Sequence, residues 1–153
     1  VTIVELFRCF RHVREAGPNT GSRVESIQKW GGGQPGDSWC CWLATMVLDL
    51  WFNGFLGQDP PIPRLGSCDD VLKLARTNGW LVDMPHVGDL YLYVRGDDDA
   101  HHIGLVADVK RDEFAGISGN TSEDGLSSNG TGVFERYIRF APHIKFVRYP
   151  RPA

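Results

Sequence analysis

No apolar run in this sequence is long enough to span a bilayer. The longest, residues 39–51, is broken by Thr45 and Asp49, whereas a membrane helix needs about 20 nearly unbroken apolar residues. A basic stripe is missing too. Sixteen Lys and Arg against nineteen Asp and Glu leave a net charge of −3, so neither nucleic acid nor membrane is an expected partner. No charged-then-apolar leader stands ahead of the first helix-forming stretch. Either a signal has been removed, or the protein reaches its target without one, and localisation stays open. Cysteine is scarce, with residues at 9, 40, 41 and 68. None has the paired spacing of a zinc site, so no structural metal is expected. A bridge between the neighbours Cys40 and Cys41 would strain the backbone. Cys9 and Cys68 remain a possible pair, but free cysteines are often simply small buried hydrophobes. The chain is not a disulfide-built scaffold.

What is present fits one domain, 1–153. Hydrophobic residues at 42% and charged residues at 23% are ordinary for a globular chain of a length that can bury a core. Ile3, Leu6, Phe7, Phe10 and Val13 recur at a helical period and predict a helix over 3–14. Val24 and Ile27 suggest a second over 22–30. After the breaker Gly31-Gly32-Gly33-Gln34-Pro35-Gly36, Asp37 or Ser38 can cap a third over 39–52. Asn53-Gly54 is expected to stop it, and a fourth helix is expected over 68–77.

From Trp80 the pattern shifts to short strands at 89–94, 102–110, 113–118, 132–139 and 144–149. Helices first and strands afterwards imply an α+β fold, with N-terminal helices packed on one face of a small antiparallel sheet. The run Asp97-Asp98-Asp99 lacks the spaced ligands and glycine of a calcium loop and reads as a solvated hairpin tip.

Three places carry the residue types of nucleophilic catalysis. In Gly36-Asp37-Ser38-Trp39-Cys40-Cys41-Trp42, Cys40 falls in the first turn of the third helix. Unpaired N–H groups and the helix dipole there favour a thiolate and can receive an oxyanion. Taken alone, a cysteine in an apolar helix is a core residue. In Ala100-His101-His102-Ile103-Gly104, His102 shares a strand face with Gly104, and the missing side chain lets another element come close. A solvated histidine pair is the competing reading, more so for His101. In Ser118-Gly119-Asn120-Thr121, Asn120 can accept a hydrogen bond from an imidazole, although it equally fits plain turn chemistry. Trp30, Trp39 and Trp42 can flank a groove, while Trp51 and Trp80 read as core.

These pieces, in this order, resemble the CHAP family, the cysteine- and histidine-dependent amidohydrolases and peptidases of phage lysins and bacterial cell-wall enzymes. The matching stretches are Glu15-x-x-x-Asn19-x-Gly21, Trp39-Cys40, Pro85-x-x-Gly88-Asp89-Leu90, His102-x-Gly104-Leu105-Val106, and Gly119-Asn120-Thr121 leading to Gly130-x-Gly132-Val133. The resemblance implies a papain-like fold, no cofactor, and hydrolysis of a peptidoglycan amide bond by an endopeptidase or N-acetylmuramoyl-L-alanine amidase. Carried over by position, it makes Cys40 the nucleophile, His102 the base and Asn120 the orienting residue. Trp39, Trp42 and Glu15 are the substrate-binding candidates, and Glu15 with Asn19 can instead simply hold the turn between the first two helices. Cys41 and His101 depart from the family pattern, and no wall-binding module is visible. Two rivals share the framework. One is an antibacterial effector acting as amidase, deamidase or transferase, with an immunity protein as partner. The other is a catalytically silent wall-binding module, which would have no need of a nucleophile.

Overall fold

The computed structural model describes residues 1–121 and 130–152. Among them are four α-helices, α1 (Ile3–Arg8), α2 (Ser22–Gly31), α3 (Cys40–Asp49) and α4 (Cys68–Asn78). Six strands follow: β1 (Leu81–Val82), β2 (Leu90–Arg95), β3 (Asp99–Val109), β4 (Glu113–Thr121), β5 (Gly132–Arg139) and β6 (Ile144–Val147). The strands form one sheet in the order β1-β6-β2-β3-β4-β5, and every pairing is antiparallel. The fold is therefore α+β.

Helix boundaries differ from expectation for local reasons. α1 opens on a capping box between Thr2 and Glu5 but ends at Arg8, not at residue 14. Beyond it residues 9–12 form turns, and Arg14 then bridges Gly132 while the Glu15 amide donates to the Thr131 carbonyl. Long-range pairing with the start of β5 thus overrides the helical period, yet Val13 stays buried at 2% exposure. α3 begins at Cys40 because both expected caps are engaged elsewhere. Asp37 accepts from the Gln34 amide, and Ser38 meets Asn120. At its far end Asn53-Gly54 does not stop the chain, which continues as a π-helical turn over Leu50–Leu56 until Gly57 takes the left-handed φ of 64°. That conformation is a helix stop to which glycine is suited.

Helices α1 to α4 share a core with one face of the sheet. Leu43, Ala44, Val47 and Leu48 of α3, with Val71 and Ala75 of α4, pack with Leu90, Leu92, Ile103, Leu105 and Ile117. The opposite face holds a second cluster of Tyr91, Tyr93, Val106, Phe114, Ile144 and Phe146. Alternation along the strands assigns each residue to one layer or the other. β3 starts three residues earlier than expected, because Asp99 pairs with Arg95 and Ala100 with Val94 to close the hairpin. The acidic tip is exposed, and Arg76 of α4 pairs with Asp98 there.

Candidate functional site

Cys40 is the first residue of α3, and Cys68 is the first residue of α4. No side chain caps either helix, so the first turns keep backbone N–H groups without a side-chain partner at the cap. The two helix starts converge until the sulfur atoms stand 3.9 Å apart. Cys40 is 3% exposed and Cys68 7%.

His102 lies on β3 and is 1% exposed. Its Nε2 stands 3.0 Å from the Ser118 hydroxyl on β4. Nδ1 has no hydrogen bond of regular geometry among the described residues. Ser118 in turn bonds the Tyr91 hydroxyl, whose pKa is pushed well up by burial and then by Tyr93. A file of polar groups therefore runs from Tyr91 through Ser118 to His102, and on to Cys40.

Hydrogen bonding with Cys68 and then burial hold the Cys40 pKa well above the ordinary thiol value, while His102 pulls it down through hydrogen bonding and charge. The low-pKa thiol expected from the helix start is thus outweighed by its neighbour and by desolvation. For Cys68, the bond with Cys40 lowers the pKa, but Cys41, burial and the Asp69 charge prevail and raise it. Iodoacetamide at neutral pH is therefore expected to label the exposed Cys9 before Cys40. Labelling at Cys40 should accelerate as pH climbs beyond the normal thiol range, because a raised pKa delays the thiolate. Peptide mapping of a pH series reads this. Fastest labelling at Cys40 near pH 7 would mean that the pull of His102 wins.

His101 stays outside this constellation. The β2–β3 register pairs His102 with Tyr93 and Ala100 with Val94, so His101 is the extra residue of a bulge that re-aims side chains locally. The close approach at Gly104 is made by a different group from the one anticipated. Tyr91 lies flat across it, and a Cβ there would sit 2.5 Å from the phenol.

Asn120 is buried with φ 53° but belongs to another network. With its amide turned, its nitrogen faces Glu15, Asn19 and the Gly130 carbonyl, which share its two hydrogens, and its oxygen accepts from Ser38 at 2.8 Å. The hydrogen-bond partner of His102 is Ser118, two residues earlier on β4 and separated from Asn120 by a shift in the β4–β5 register. Glu15 accepts from the Trp39 indole at 2.9 Å and from the Asn19 amide at 3.1 Å. Glu15, Asn19, Ser38, Trp39 and Asn120 form a clamp tying the loop before α2 and the start of α3 to β4.

Trp39 is fully buried in that clamp, which removes it from any open groove wall. Trp42 is half-buried on Gly31, Gly33 and Gly66, where a Cβ would come within 2.2, 1.9 and 2.5 Å of its ring. It is a packing residue wedged into the glycine-rich segment. Trp30 carries the Arg64 guanidinium 4.2 Å above its ring. Trp51 and Trp80 pack against the main core.

Sequence reasoning passed over Ser118, Tyr91 and the thiol of Cys68. Neither a protein-family model nor a curated protein matches this sequence.

Proposed function

We propose that this chain is a papain-like cysteine hydrolase of CHAP type that cleaves an amide bond in peptidoglycan. The observation carrying the chemical half of this reading is the buried pair of Cys40, at a helix start, and His102, with Nε2 tied to Ser118. If Ser118 accepts the Nε2 proton, the tautomer leaves Nδ1 with a bare lone pair to take the thiol proton. The thiolate then attacks the amide carbonyl, first-turn N–H groups of α3 receive the oxyanion, and His102 protonates the departing amine. Water, deprotonated by His102, hydrolyses the thioester. The substrate half rests on the ordered sequence resemblance. Because both reacting groups are closed off from solvent, substrate must displace neighbouring side chains to reach them.

Digesting purified walls and analysing the muropeptides by mass spectrometry tests the function. Free stems beginning with alanine identify an amidase; shortened or uncross-linked stems identify an endopeptidase. Unchanged muropeptides from a correctly folded, reduced protein would reject peptidoglycan as substrate.

The division between Ser118 and Asn120 has its own test. Ser118→Ala is expected to lower kcat about five- to tenfold, the worth of one neutral hydrogen bond of roughly 1 kcal/mol, and to cost some stability as well, because it leaves His102 and Tyr91 buried without their shared partner. Asn120→Ala is expected to act on stability instead. It leaves buried partners unpaired at about 1–3 kcal/mol and puts a methyl-bearing residue at positive φ. A folded Asn120→Ala enzyme with the larger loss of kcat would return the orienting role to Asn120.

A further inference from the structure

Wall cleavage needs one thiol, yet a second stands beside it. Cys68 is not required by the mechanism above, and its sulfur is 3.9 Å from that of Cys40. A disulfide bond is about 2.05 Å long, so the sulfurs need to close by roughly 1.9 Å. Both cysteines sit at helix starts with their sulfur atoms facing one another. His102 acts on the Cys40 thiol by hydrogen bonding and charge, and this base distinguishes Cys40 from Cys68, which is influenced by Cys40 and the fully buried Cys41 instead. Cys9 is exposed on a different segment, directly after α1, and bonds the Glu5 carbonyl.

We propose that Cys40 and Cys68 are a reversible oxidation site, with Cys68 as the resolving thiol and hydrogen peroxide as the oxidant. His102 takes the Cys40 proton, and the thiolate attacks one peroxide oxygen. The O–O bond breaks, and the hydroxide released collects that proton as water, leaving a sulfenic acid on Cys40. The Cys68 sulfur then attacks the Cys40 sulfur and the S–O bond breaks. The departing hydroxide takes the Cys68 proton as a second water. The two sulfurs together lose two electrons, and the peroxide gains them. A dithiol reverses the bond by exchange. Condensation with Cys68 diverts the sulfenic acid from the irreversible sulfinic state. The consequence for activity rests on the function proposed above; the cross-link itself does not.

The test treats reduced wild-type protein with hydrogen peroxide, blocks free thiols and maps peptides by mass spectrometry. The expected product is a Cys40–Cys68 linked peptide, two hydrogen atoms lighter than the separate thiols and released by dithiothreitol. Wall-cleaving activity should disappear with its formation and return on its release. In Cys68→Ser, peroxide should give no linked peptide and should carry Cys40 on to the sulfinic acid, beyond rescue by dithiothreitol. Absence of the wild-type linked peptide, or a link from Cys68 to Cys41 instead, overturns the proposal. A linked peptide from a protein whose reduced form cuts no wall upholds the oxidation site and rejects the hydrolase. Wall cleavage without the linked peptide does the reverse.

Discussion

Cys40→Ser is expected to abolish hydrolysis, with turnover falling by about four powers of ten or more, as for removal of a nucleophile that works as a unit with its base. Cys41→Ser should keep most of the turnover and lose stability. The two positions differ physically despite adjacency. Cys40 is the thiol that His102 draws toward ionisation, whereas Cys41 is fully buried one position further round the helix. Serine at 41 places a hydroxyl in apolar packing, a cost of about 1–3 kcal/mol when it lacks a partner. Muropeptide release by each variant, with a thermal melt as control, decides the matter. An active Cys40→Ser enzyme beside an inactive, well-folded Cys41→Ser would shift the nucleophile by one residue.

His102→Ala is expected to lower turnover by about two to four powers of ten, the usual worth of a positioned general base. His101→Ala should retain much of it. The bulge separates them: His102 stays in register opposite Tyr93, their rings 5.2 Å apart, while His101 falls outside the ladder. The pKa of His101 is lowered by desolvation and then by Arg95, so it is chiefly neutral at physiological pH and adds little charge to the site. If His101→Ala proves the more damaging substitution in kcat, the strand presents the other imidazole to the thiol.

The α+β order was legible because periodicity changes from helical to alternating near Trp80, and that change follows directly from which side chains must face the core. The placement of Cys40 at a helix start and of His102 on a strand was legible for a related reason. A helix start and a strand face are local properties, and local spacing reports them. The identity of the residue bonding His102 was not, because it depends on how β3 and β4 are registered. Leu105 stands opposite Ile117 and Val106 opposite Gly116, so Ser118 reaches the imidazole diagonally across the two strands, and this offset is set by packing across strands. The Cys40–Cys68 encounter is further from sequence still, since residues 28 positions apart meet only through the angle at which α3 and α4 lie on the sheet. The early end of α1 has the same origin: its apolar spacing is helical, but β5 offered the chain a better set of backbone partners.

Gly104 and Gly116 owe their importance to what they leave out. A Cβ on the first would fall 2.5 Å from the Tyr91 phenol and on the second 2.7 Å, closer than such atoms approach in practice. The phenol can therefore lie along the sheet only where two neighbouring strands each leave a gap. Whatever aligns the proton on His102 is thus held partly by vacancies in adjacent strands. Neither glycine is a reacting group, yet a methyl group on either lifts the ring away and takes with it the hydroxyl on which Ser118 leans.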